Sequence, residues 1–176
     1  MNITKNFTLR ELTYSQTAIK NEIPNIPKDP AVLENLKTLC EQVLEPLREG
    51  IGMPIRITSG YRSIALNKYI GGAKTSQHNT GEAVDFDLGE NNAKAFEYIA
   101  NNLEFDQMIW EFGTDENPDW VHVSFRKGQN RKQLLKAYRM NKNTYYMVIP
   151  KPENKEESPK EDKPKVGRPK TKSTTK

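Results

Sequence analysis

The chain has 176 residues, with 27 basic against 23 acidic side chains and a formal net charge of +4, a length that suits one domain with a proper apolar core and no obvious second one. Residues 150–176 carry nine basic and five acidic side chains, the whole of that excess, so the rest of the chain is neutral at 18 against 18; the pI near 9.0 gives no ground for a basic face on the folded part. A lone cysteine, Cys40, excludes an internal disulfide, and no stretch approaches the ~20 apolar residues of a membrane span.

Residues 1–6 lack the apolar run of a secretory signal. Thr8-Leu9-Arg10-Glu11 has the form of a capping box, in which Thr8 and Glu11 satisfy free amides at the start of a short helix and Phe7 and Leu12 staple it to the core. From residue 30 to about 48, Val32, Leu36, Leu39, Val43 and Leu47 recur every three or four positions and predict the longest helix; Cys40, within this stripe, is expected as a buried thiol. Gly50 and Gly52 end it, and residues 54–58 read as a strand entering the turn Ser59-Gly60-Tyr61-Arg62, which leaves Arg62 at a strand end.

A short helix over 63–70 is stopped by Gly71-Gly72, and the polar stretch that follows puts His78 on a loop. Residues 83–88 alternate in strand fashion, with Val84, Phe86 and Leu88 toward the core and Ala83, Asp85 and Asp87 on the other face. Ala95, Phe96, Ile99 and Leu103 predict a helix over 91–103, and further strands are expected at 107–112, 120–125 and 144–149. The prediction is an α+β fold: one compact domain over 1–149, a small antiparallel sheet flanked by helices, and a Lys/Pro-rich tail over 150–176. The tail has five prolines and Val166 as its only aliphatic side chain, a composition that predicts disorder.

The only two histidines are His78 and His122. A catalytic zinc takes three protein ligands from His, Asp or Glu and leaves a fourth position to water, and His78, Asp85 and His122 complete such a set. Gly81 lies in the turn between His78 and Asp85, where it lets the chain fold back so that both side chains converge.

Ser76-Gln77-His78-Asn79-Thr80-Gly81-Glu82-Ala83-Val84-Asp85, followed downstream by Trp120-Val121-His122, resembles the zinc D-Ala-D-Ala peptidases of the M15 group. The resemblance runs from about residue 6 to 126 and takes in Phe7 to Leu12, Val43 to Arg48, Ser59 to Ser63, Leu66-Asn67 and Gly71-Gly72-Ala73. It implies Zn²⁺ held by His78, Asp85 and His122, Arg62 facing the scissile carbonyl oxygen, and Ser76 as a contact to substrate or to a ligand. The general base it implies is an acidic residue three positions before the last histidine, here Asp119 where several relatives carry Glu. Strict alternation places Asp119 on the face opposite His122, so the role requires that it precede the strand, a break that Pro118 favours. Glu111, after Met108-Ile109-Trp110, is the alternative base.

These residues predict a monomeric zinc metallopeptidase that hydrolyses peptide bonds of bacterial peptidoglycan, as a D-Ala-D-Ala-type carboxypeptidase or an endopeptidase. The missing signal suits a cytoplasmic product released onto the cell wall, in the manner of a phage lysin. Two other readings stand beside it: a zinc-stabilised cell-wall-binding domain without turnover, and DNA binding through the tail, where Gly167-Arg168-Pro169 resembles an AT-hook core. The tail is also suited to tether the protein to anionic polymers.

Overall fold

The computed structural model describes residues 1–152. The expectations placed on the tail, its disorder and its Gly-Arg-Pro motif, lie outside the described residues. Among those residues no helix is long and apolar enough to cross a membrane.

Helix α1 (Leu9–Thr13) begins at the foreseen capping box, with the Thr8 hydroxyl accepting from the Glu11 amide and the Glu11 carboxylate accepting from the Thr8 amide. Phe7 and Leu12, on either side of the cap, are both buried in the core. A further short helix, α2 (Gln16–Lys20), follows. The long amphipathic helix is present but interrupted: α3 (Pro30–Leu39) passes through a π-helical turn (Cys40–Leu44) into α4 (Glu45–Ile51). Pro46 lacks an amide hydrogen and its ring crowds the carbonyl four residues back, and widening the preceding turn relieves both. The apolar stripe stays continuous through this turn, with Leu36, Leu39, Val43, Leu44 and Leu47 fully buried. Cys40 is buried among them, and burial pushes its thiol pKa well up, which leaves it an inert core residue.

The remaining elements are β1 (Ile57–Ser59), α5 (Ile64–Tyr69), β2 (Ala83–Phe86), α6 (Asn92–Asn102), β3 (Gln107–Glu111), β4 (Trp120–Ser124), β5 (Gln133–Met140) and β6 (Asn143–Val148). They build one six-stranded sheet in the order β1-β2-β4-β3-β5-β6. Every pairing is antiparallel except β3 with β5. The sheet is thus larger than foreseen and mixed, the parallel pair arising because β5 returns to the edge of β3 after a long connection. Strand β5 escapes the sequence pattern because Leu134-Leu135 breaks the alternation of its faces. It turns into β6 through Asn141 and Lys142, both at positive φ, the conformation of a two-residue hairpin loop.

Alternation divides the sheet into two unlike faces. Val84, Phe86, Met108, Trp110, Val121, Val123 and Leu134 join the helices in the apolar core. Asp85, Gln107, Ile109, Glu111, Trp120, His122 and Leu135 line a cleft on the opposite side.

Gly60, in the turn after β1, is packed so tightly that a Cβ would stand 2.2 Å from the Leu12 carbonyl oxygen. Backbone cannot swing aside as a side chain can, so Gly60→Ala should destabilise the fold by roughly 2–3 kcal/mol in urea denaturation. Gly52→Ala meets nothing within 4 Å and bears only its φ of +70°, so its cost should stay near ~1 kcal/mol. Equal losses for the two variants would contradict this packing.

Candidate metal centre

Asp85 and His122 stand directly opposite each other in the antiparallel β2–β4 pair, on the cleft face. His122 Nδ1 lies 2.8 Å from Asp85 Oδ1. His78 reaches the same point from the loop before β2, its Nε2 lying 3.3 Å from both His122 Nδ1 and Asp85 Oδ1. Two imidazoles and a carboxylate with zinc bonds of about 2.0–2.1 Å place tetrahedral donors about 3.3 Å apart. The observed triangle fits that arrangement, and a fourth direction faces the cleft.

The orientation of each donor is fixed by its other contacts. His78 Nδ1 lies 2.7 Å from the Gly60 carbonyl oxygen, an acceptor that requires the proton on Nδ1 and leaves the Nε2 lone pair for a cation. The same carbonyl belongs to the residue pressed against α1, so one tight turn both packs the helix and sets the imidazole. Asp85 turns Oδ1 to the histidines and accepts at Oδ2 from Arg62 Nη2, at 3.1 Å. Arg62 is held in turn by Ser59, whose hydroxyl accepts from Nε, and by Asn79, whose side-chain amide donates to the Arg62 carbonyl at 2.7 Å.

The electrostatics suit the same purpose. Burial holds the His78 pKa below its usual value, keeping the ring neutral as a metal ligand must be. Burial raises that of Asp85, but its contacts with His78 and His122 outweigh it and keep the carboxylate ionised. Glu111 behaves in the opposite way. Burial, reinforced by the negative charge of Asp85 and opposed by His122 and Arg62, pushes its pKa up to about 7.

The sequence-predicted residues fall into two groups. Arg62, Ser76, Asp85 and His122 line a single cleft of about 920 Å³ with Glu111, and buried His78 closes its floor. Asp119 is not brought to it. Its side chain is exposed and lines a neighbouring cleft with Phe112 and Lys136. Its amide donates to the Glu111 carbonyl, while the Asn92 side chain ties down the carbonyls of Pro118 and Asp119. The segment before β4 is therefore pinned with Asp119 turned outward. Asp87 is likewise taken up elsewhere, bonding Arg56, the Gly89 amide and Asn92.

One supporting cluster escaped sequence reasoning. Fully buried Asp106 accepts from Gln77 at 2.9 Å and from Arg131 at 2.7 and 2.8 Å, which ties the loop bearing His78 to the segment ahead of β5. A lone Asp after Phe105 gives no periodic signal, and its partners are 29 and 25 residues away.

The geometry agrees with the sequence comparison. The model of the peptidase M15 family matches residues 5–124, more than half of the chain. The chain belongs to this family. It is also 31% identical over 87 residues to the zinc D-Ala-D-Ala carboxypeptidase of Streptomyces albus G, an alignment covering 49% of this chain. The chain spans about a third of that relative's length, 34%. The family match contains the three candidate ligands, Arg62 and Glu111, and ends at Ser124 with β4.

The displaced pKa of Glu111 makes stability depend on pH. The folded state holds this proton more tightly than the unfolded chain does, so its contribution is fully present below the ordinary glutamate pKa of about 4.5 and is lost as pH rises through about 7. In chelator, the stability of the wild type relative to Glu111→Gln should fall by roughly 2–3 kcal/mol between pH 4.5 and 8. Urea denaturation at the two pH values measures it, and a flat difference would contradict the desolvated placement of Glu111.

Proposed function

We propose that this protein is a zinc peptidase acting on bacterial peptidoglycan, with His78, Asp85 and His122 as the zinc ligands and Glu111 as the general base. The observation that carries the reading is the meeting, in one cleft, of a three-donor triangle with an open side and a carboxylate whose pKa lies near neutrality. Membership of the M15 family and the likeness to a zinc D-Ala-D-Ala carboxypeptidase support both the metal and the substrate class.

Zinc, when bound, supplies a Lewis acid that polarises a carbonyl and lowers the pKa of water. Glu111 then has the proton chemistry to perform: its ionised carboxylate takes a proton from the attacking water and, protonated, returns it to the leaving amine nitrogen. A pKa near neutrality serves both halves of that cycle, and a nearby dication would draw it down toward the ionised form. Arg62 has Nη2 committed to Asp85 and Nε to Ser59, so Nη1 is available to the developing negative charge on the carbonyl oxygen. Ser76, on the facing wall, is assigned to substrate contact. This reading replaces Asp119 by Glu111, because a base must face the reacting atoms.

Purified protein should contain one zinc per chain, and chelation should abolish hydrolysis of purified peptidoglycan until Zn²⁺ is returned. His78→Ala and His122→Ala should lose the metal. Mass spectrometry of the products should show new amines and carboxylates with intact glycan; release of D-Ala marks a carboxypeptidase and separation of cross-linked stems an endopeptidase. New reducing sugar ends instead would refute peptidase action.

Base and ligand separate in a second measurement. Glu111→Gln should keep zinc and lose ~10² to 10⁴ in rate, whereas Asp119→Asn should stay within a few-fold of the wild type. The reverse pattern would restore Asp119 to the role.

A further inference from the structure

The family match ends at Ser124, yet the sheet continues through β5 and β6, and the register of those strands reaches back into the cleft. Glu111 is paired with Ala137, and Ala137 with Tyr146. Residues paired across neighbouring strands project from the same face, so Glu111, Ala137 and Tyr146 form one row on the cleft side of the sheet. Ala137, between the other two, offers only a methyl group. It leaves a trough about 10 Å across, two strand spacings, over which the Tyr146 ring can lean.

Tyr146 lines the same cleft as Asp85, Glu111 and His122. Its neighbour Tyr145 lies on the opposite face, where its ring stacks on Tyr138 at 5.7 Å between centroids. Tyr145 thus has a structural partner, while Tyr146, half-exposed on an edge strand, faces the cleft. Burial and the negative charges of Glu111 and Asp85 raise the pKa of the Tyr146 phenol, so it remains a protonated donor throughout the neutral range. The loop carrying Ser76 lines the same cleft, so a peptide lying against Glu111 meets both that loop and Tyr146.

Resting on the peptidase reading above, we propose that Tyr146 is a substrate-binding residue: its ring forms the cleft wall beyond Glu111, and its hydroxyl donates a hydrogen bond to the peptide on the side of the scissile bond away from the metal ligands. The catalytic groups then come from the family-matched segment, and one wall of the peptide site from the hairpin that follows it. Substitutions in β6 are expected to alter which peptide is held rather than how the bond is broken.

The test uses the full zinc-loaded protein and soluble muropeptides released from peptidoglycan by a glycan hydrolase. Tyr146→Phe should raise KM about fivefold, the worth of one neutral hydrogen bond, with kcat within twofold and zinc content unchanged. Tyr146→Ala, which also removes the wall, should raise KM further, and Tyr145→Phe should match the wild type. In the Glu111→Gln background, which should hold peptide without cleaving it, Tyr146→Phe should weaken muropeptide binding by the same factor in calorimetry. Unchanged KM and affinity in both Tyr146 variants would overturn the assignment, as would a loss confined to kcat or to zinc content. A wild type inert on muropeptides would sink the peptidase reading and this inference together; an active wild type with indifferent Tyr146 variants would sink this inference alone.

Discussion

Asp85 opposite His122 is the constraint on which the site rests. Their pairing belongs to an antiparallel ladder that runs from Ala83 opposite Ser124 to Phe86 opposite Val121, and in such a ladder a slip of one residue in either strand would send that strand's polar side chain into the core and turn its valines outward. The apolar face therefore enforces the polar one. Burying Val84, Phe86, Val121 and Val123 against the helices is worth several kcal/mol on ordinary transfer values, and that free energy holds two candidate metal ligands within 2.8 Å of each other. A cluster of this kind is unfavourable in a metal-free protein unless a cation or proton occupies it, so its register has to be imposed from outside the cluster.

The third donor has no strand to hold it, and the loop compensates by hydrogen bonding. His78 is fixed through its own ring at Gly60, through its carbonyl, which accepts from the Arg62 amide at 3.1 Å, and through the neighbours Gln77 and Asn79. Arg62 recurs in this network because it holds both the loop and Asp85. Replacing a residue so placed perturbs ligand geometry as well as charge, which separates its two contributions only when metal content is measured beside rate.

The convergence of His78, Asp85 and His122, the cleft-facing side of β2, the capping box and the long helix were all legible in the sequence, and each depends on a local pattern: residue type at a fixed offset, or period two or 3.6. What was not legible depended on pairing between distant segments. Strand β5 carries Leu134-Leu135 and the charged Lys136 and Arg139, so its alternation is hidden, and its parallel partner lies 26 residues earlier. The π-helical turn comes from Pro46, visible in the sequence but readable as a kink, a break or a bulge. Asp119 was favoured as the base because its spacing from His122 matched the family pattern, although alternation alone argued against that face, and its side chain is exposed on a neighbouring cleft. Asn92, far along the chain, sets where Asp119 sits by pinning the backbone of residues 118–119.

The same sheet also explains how two acids lining one cleft come to different electrostatics. Asp85 and Glu111 project from one face in adjacent rows, Asp85 level with His122 and Ile109, and Glu111 level with Trp120 and Ala137. Asp85 is surrounded by hydrogen-bonding partners, His122, His78 and the Arg62 guanidinium, and stays ionised. Glu111 has an aromatic ring and a methyl group as its cross-strand neighbours, so burial dominates and its proton is held to near neutral pH. A carboxylate kept ionised suits a ligand, and one poised near neutrality suits a proton carrier. Exchanging the two residue types without moving their neighbours would not exchange these roles, because the displacement of each pKa is set by the row it occupies rather than by the length of its side chain.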